Sequence, residues 1–191
     1  MSSYNIIADI GVTLKKLLES TLTGLVTPAN IFLSSPAEME VTANRQLCIF
    51  LYQITENLYL RNNPDRRPLD PKHQPPFPVD LHYLFIPYAQ EREDEHRIIG
   101  RIIQTFHDIA VLRGSVLQGT TLVGSDEELR SVFHTIGIDE ASKIWTAFPG
   151  KPYRLSVGYL VTPVNIYSER LEEGGRVVTR ALDFAQSAGG A

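Results

Sequence analysis

Between Tyr4 and Ser20 the apolar residues Ile7, Ile10, Leu14, Leu17 and Leu18 recur at helical spacing, with Asp9, Lys15, Lys16 and Glu19 on the opposite face. The pattern predicts an amphipathic helix. Gly11 weakens it by about 1 kcal/mol relative to Ala, and Gly24 and Pro28 lie beyond its end. Ile31 to Leu33 predicts a short strand. From Arg45 to Glu56 both alternating sets are largely apolar, Leu47, Ile49 and Leu51 on one face and Cys48, Phe50, Tyr52 and Ile54 on the other. That is the signature of a central strand covered on both sides. Val79 to Ala89 repeats it, with Leu81, Tyr83 and Phe85 against Leu84, Ile86 and Tyr88, and with Asp80 and His82 at its start.

Asn57 to Pro78 joins those strands and holds six of the chain's 12 prolines. Such a segment is expected to be neither helix nor central strand. A connection of that length is either a linker or a functional arm, and Arg61, Arg66, Arg67 and Lys72 make it locally basic.

A second long helix is predicted from Glu91 to Arg113, with Ile98, Ile99, Ile102, Ile103, Phe106 and Ile109 as its apolar stripe. Acidic residues at 91 and 93–95 suit the positive end of its dipole, Arg113 the other end, and Gly114 a left-handed cap. Leu129 to Thr135 predicts a short strand. Asp139 is placed as the cap of a helix through Phe148 that buries Ile144 and Trp145 before Pro149 and Gly150. Tyr153, Leu155, Val157, Tyr159 and Val161 alternate with Arg154, Ser156 and Gly158 as a further strand, and Glu173-Gly174-Gly175 can turn it back into Arg176 to Leu182. No repeat of fixed period is present.

These elements make one α+β domain, two long helices against a mixed sheet, over residues 1–170, with residues 171–191 as a C-terminal strand or arm and tail. With 43% hydrophobic and 21% charged residues, the composition of the 191-residue chain is that of an ordinary globular domain. The formal charge of −4 argues against a nucleic-acid binder that works through a basic surface. Cys48 stands alone, which excludes an intramolecular disulfide framework and any Cys-rich metal site. No apolar run is long enough to span a bilayer, and Met1-Ser2-Ser3-Tyr4 opens no secretory signal, so a chain that is soluble and unexported by that route is expected.

Candidate chemistry is sparse. Gly119 to Ser125 has two glycines at P-loop spacing but serine where the phosphate-binding lysine belongs, and Asp126, Glu127 and Glu128 follow to repel phosphate. Arg154-Leu-Ser156-Val-Gly158 lacks the first glycine of a nucleophile elbow, so Ser156 reads as a strand residue. The five histidines, at 73, 82, 96, 107 and 134, show no metal-ligand spacing. Asp80 and His82 share a strand face, where a carboxylate could orient an imidazole for acid–base work or form a structural pair. No catalytic, cofactor-binding or metal residue is therefore assigned. The pattern points to a binding or structural protein.

The ordered set Ile49-Phe-Leu-Tyr-Gln-Ile-Thr-Glu-Asn57, Leu60-Arg61-Asn62, Pro78-Val-Asp-Leu-His-Tyr-Leu-Phe85, Ile98 to Asp108, Ser142 to Phe148 and Pro152 to Tyr159 resembles a known family. It is similar to the tail-terminator, or cap, proteins of phage-tail-like extracellular contractile injection systems. The resemblance implies a mainly antiparallel sheet and a ring, hexameric in the family. That ring is a structural protein on the last layer of the inner tube and contacts the end of the sheath. It also implies assembly in the bacterial cytoplasm, in a particle that can be released, with tube and sheath proteins as partners, no nucleic acid, no membrane, no catalytic residues and no cofactor. Members with an additional C-terminal domain exist. A stand-alone α/β enzyme and a small adaptor are the alternatives. On the cap reading, Arg61, Arg66, Arg67 and Lys72 of the arm, and Arg176, Val177, Val178 and Arg180 of the C-terminal segment, are the expected partner contacts. The competing accounts are a plain surface loop for the first and an intrachain hairpin at Gly174-Gly175 for the second.

Overall fold

A computed structural model describes residues 3–61 and 76–168. Its centre is a six-stranded sheet in the order β1-β2-β3-β6-β5-β4, formed by β1 (Ile31–Leu33), β2 (Gln46–Glu56), β3 (Phe77–Tyr88), β4 (Val111–Leu112), β5 (Leu129–His134) and β6 (Val157–Ile166). β1 runs parallel to β2, and every other neighbouring pair is antiparallel. Four helices accompany it among the described residues: α1 (Ile6–Thr21), α2 (Leu58–Arg61), α3 (Arg92–Asp108) and α4 (Ile138–Thr146).

The long helices α1 and α3 lie on one face of the sheet. Ile10, Leu14 and Leu18 of α1 and Ile98, Ile102 and Phe106 of α3 meet Leu47, Ile49, Leu81, Tyr83, Phe85 and Val161 there in one continuous core. Phe106 packs its ring 4.6 Å from that of Tyr159 and 5.3 Å from that of Phe85. On the opposite face a smaller core gathers Met39, Cys48, Leu84, Ile86, Tyr88 and Trp145, so α4 covers what the long helices do not. The two-sided apolar pattern of β2 and β3 is thus explained by two cores.

Several boundaries differ from expectation. α3 ends at Asp108 rather than Arg113, because Val111–Leu112 leaves the helix to pair with Leu129 and Arg130, which buries Leu112 completely. Gly114, at φ +57°, opens a 3-10 turn instead of capping the helix. α4 starts from Gly137, so Asp139 sits in its first turn and favours the dipole without capping, and the helix stops at Thr146. Residues 153–156 do not join β6. Arg154 is drawn to α3, where its Nη1 donates to Glu95 Oε1 at 2.6 Å and its guanidinium lies 4.7 Å above the Tyr88 ring. Asn57 to Pro78 is not free of secondary structure, since Leu58–Arg61 is helical and Phe77 and Pro78 begin β3.

The face assignment of Ile54 also changes. The β2–β3 register shifts between Leu51 and Gln53, leaving Tyr52 as the extra residue, so Gln53 opposes His82 and Ile54 opposes Leu81. One inserted residue reverses the parity of everything after it. Ile54 therefore turns to the helical side, where it is half exposed.

Candidate functional site: the open end of the sheet

Asn57 organises the end of the sheet where the proline-rich segment begins. Its backbone N–H donates to Pro78 O at 2.9 Å, and its carbonyl accepts from Leu60 and Arg61, both at 3.2 Å. Its side-chain Nδ2 donates to Asp80 Oδ1 at 2.9 Å and Thr162 Oγ1 at 3.2 Å, while its Oδ1 accepts from Leu60 N at 3.1 Å. Thr162 Oγ1 in turn donates to Asp80 Oδ1. A buried amide with all these partners fixes where the chain leaves β2 and re-enters β3.

Around this clamp the surface is apolar. Tyr59 is 95% exposed and Leu58 67%, and Phe77, Ile54 and Tyr167 are each about half exposed. α2 is too short to bury its own side chains. Arg61, the one described member of the basic set, pairs with Glu56 through Nη1–Oε1 at 3.3 Å and stays largely exposed. Arg66, Arg67, Lys72, Arg176, Val177, Val178 and Arg180 lie outside the described residues.

Asp80 and His82 do not form the pair considered from sequence. Asp80 is engaged by Asn57 and Thr162, whereas His82 Nε2 shares a 2.9 Å hydrogen bond with Thr55 Oγ1. The His82 ring stands edge-on to His134, 5.3 Å between centroids, and 5.8 Å from Tyr52. Burial, with His134 beside it, holds the His82 imidazole below its ordinary pKa. Burial and the nearby Glu140 push the Tyr52 phenol up to about 12. His134 Nε2 lies 3.9 Å from Glu140 Oε1. Among the described residues no group of three His, Cys, Asp or Glu side chains is placed to hold a metal ion.

The glycine-spaced loop is filled by the protein itself. Asp9, placed by periodicity on the solvent face of α1, is buried instead, and its Oδ2 accepts from Thr121 N at 2.6 Å. Gly119 takes φ +99°, and a Cβ there would sit inside the Asp9 carboxyl. The amide that a phosphate would need is thus already committed to a carboxylate. Ser156 lies just ahead of β6, and Gly158 within it leaves room for Ile136, whose Cδ1 would be 2.7 Å from an added Cβ.

A hollow of about 260 Å³ between Met39, Tyr88, Trp145, Lys151 and Arg154 brings two cations together. Both are engaged, Lys151 Nζ by Met39 O at 2.7 Å and Arg154 by Glu95. Sequence reasoning missed Asn57 and Asp9 as organising residues. The signal for Asp9 was its place on one helical stripe with Ile6, Ile10, Thr13 and Leu17, where a carboxylate needs a buried donor.

The architecture has known counterparts. It superposes with a TM-score of 0.65 and 16% identity on the sheath/tube terminator of an extracellular contractile injection system, PVC, in its extended state, covering 96% of this chain and 64% of that one. With the tube-terminating cap of the anti-feeding prophage, AFP, the TM-score is 0.61 at 18% identity, covering 93% of this chain and 61% of the other. This chain therefore spans less than two thirds of either structure's length. No curated protein matches it in sequence. No described helix is long and apolar enough to cross a membrane. The sequence profile of the Pvc16 N-terminal domain matches residues 9–180, the whole six-stranded sheet and all of its helices but the first residues of α1, and the chain belongs to that family.

Proposed function

We propose that this protein is a structural cap that closes the inner tube of a contractile injection system, contacts the terminal sheath layer and stops further polymerisation. The observation that carries the reading is the likeness of fold over 96% of the chain to a sheath/tube terminator. Family membership over residues 9–180 supports it independently of any single structure. Physics makes such a part necessary, because a tube of stacked rings has a heterologous face that recruits the next ring without limit. A subunit that matches the tube on one side only ends the series by shape, without a chemical step.

On this reading the protein works as a ring, a hexamer, and its basic arm residues Arg61, Arg66, Arg67 and Lys72 meet carboxylates on a neighbouring subunit. The exposed apolar surface at Leu58, Tyr59 and Phe77 lies at the root of that arm and suits a protein contact. The particle is assembled in the bacterial cytoplasm and released from there.

The test is to delete the chain from cells that build the particle and to image tubes and sheaths by cryo-electron microscopy. The expected result is tubes of widely scattered length with sheath lost from the capless end, restored by the wild-type chain. Particles of normal length and normal end structure without it would overturn the reading. So would a protein that is monomeric both alone and on the particle.

A further inference from the structure

We propose that the hollow between Met39, Tyr88, Trp145, Lys151 and Arg154 is a docking site for an acidic side chain of a partner protein, a glutamate whose carboxylate meets Arg154, Lys151 and the Tyr88 hydroxyl. The inference does not depend on the cap reading.

The fold brings donors together here and leaves part of their capacity unused. Arg154 is stacked over Tyr88 and only 11% of its side chain is exposed, yet its single hydrogen bond, Nη1 to Glu95 Oε1, leaves Nε and Nη2 without a partner among the described residues. Lys151 Nζ donates to Met39 O at 2.7 Å and keeps its other N–H groups. Tyr88 is 3% exposed, and its hydroxyl makes no hydrogen bond among the described residues. Burial pushes that phenol up to about 12, so it stays a donor at neutral pH. Donors held so far from bulk water call for an acceptor, and a carboxylate, with acceptor sites on both oxygens, answers all three groups at once.

Charge selects an acid over its amide. The lining carries two cations, Lys151 and Arg154, against one carboxylate, Glu40, which is exposed. Glu95 is shared between Arg154 and Arg92, so it does not cancel the positive charge of the hollow, and at 1% exposed it does not reach a ligand itself. Charge-assisted hydrogen bonds from a fixed guanidinium are the stronger kind.

Size and surroundings select a protein side chain over a free metabolite. The hollow measures about 260 Å³, below the roughly 300–1,000 Å³ of small-molecule pockets. Its other walls, Met39, Trp145 and Pro152, are apolar and suit the methylene stem of a glutamate. Around it Val41 is 43% exposed, Leu155 42% and Tyr153 56%, the last with its ring 5.8 Å from that of Trp145. A small carboxylate would leave this apolar rim in water, whereas a protein that inserts one acidic residue covers it. A central Arg, Trp and Tyr within a rim that excludes water is the arrangement of an interface hot spot.

The experiment titrates the full chain with the blocked peptide acetyl-Ala-Ala-Glu-Ala-Ala-amide and with its glutamine counterpart, reading the emission of Trp145, the only tryptophan of the chain. A saturable change is expected with the glutamate peptide, about tenfold or more tighter than with the glutamine peptide, and weakening as salt is raised. Lys151→Gln and Tyr88→Phe should each weaken it about threefold or more. Should Tyr88→Phe lose its fold, Glu40→Gln at the exposed rim reads the same site with the opposite sign, because it removes the one carboxylate that opposes the ligand and should tighten binding. Equal binding of the two peptides, unchanged affinity in both Lys151→Gln and Glu40→Gln, or no change in emission up to about 10 mM peptide overturns the inference. Saturation by acetate as tight as by the glutamate peptide overturns it in favour of a free small carboxylate. None of these outcomes bears on the cap reading, which the deletion experiment decides separately.

Discussion

The two ends of the same pair of strands have opposite fates. Where β2 begins and β3 ends, Leu47, Ile49 and Phe85 pack under the long helices, and Cys48, Ile86 and Tyr88 pack under α4 and Met39. At the other end Gln53, Thr55, Asp80 and His82 give the strands polar, partly exposed side chains, beside the exposed Leu58, Tyr59 and Phe77. One end makes the fold, and the other leaves apolar side chains exposed among the described residues. The cap reading proposed above would need this division, because apolar surface committed to a protein's own core is unavailable to a neighbour.

The comparison breaks most severely if the covered end tolerates truncation. Phe85 is fully buried among Phe106, Tyr83 and Tyr159, so Phe85→Ala is expected to cost about 3–5 kcal/mol in urea unfolding. Tyr59→Ser at the open end is expected to change stability by no more than about 0.5 kcal/mol while weakening attachment to the particle. Equal losses of stability at both sites would erase the distinction.

Next in size is Arg154→Met. The change strands Glu95, only 1% exposed, with Arg92 as its remaining cation, and is expected to cost about 3 kcal/mol by the same unfolding measurement. Asn57→Ala removes three side-chain hydrogen bonds at the open end, and about 1–2 kcal/mol is expected, with larger losses of hydrogen-exchange protection at Leu60 than at Phe85.

The smallest effect is in pH dependence. The folded protein holds His82 below the ordinary imidazole pKa, so on acidification the unfolded chain takes up the proton first. The contribution of His82 is complete above the unfolded pKa of about 6.5 and is lost as pH falls from there toward the folded value. His82→Gln should therefore flatten the rise of Tm with pH in that window and leave particle assembly intact. Loss of particle function with fold and assembly preserved would instead reveal a chemical role.

Much of this was readable in the residues. Helical spacing placed α1 and α3, and the doubly apolar runs at Leu47 to Tyr52 and Leu81 to Tyr88 identified two covered strands before either cover was known. Ordered segments, each weak alone, pointed to the family that the sequence profile and the fold support. Boundaries were less legible where a long-range partner outbid local preference. Val111–Leu112 left a good helix for β5, and Arg154 left a good strand pattern for Glu95.

Periodicity reports which residues avoid water, because each side chain's solvation is its own property, and this chain's 3.6- and 2-residue repeats are strong enough to set its elements and their class. Pairing is a property of two distant segments, and no single segment carries it. The register slip at Tyr52 that turns Ile54 to the helical side and the burial of Asp9 beneath Thr121 both arise only when strands and loops more than a dozen residues apart compete for the same hydrogen bonds. Tertiary structure therefore decided which surfaces stay open, while the sequence alone determined that the chain would build a two-cored α+β sheet domain.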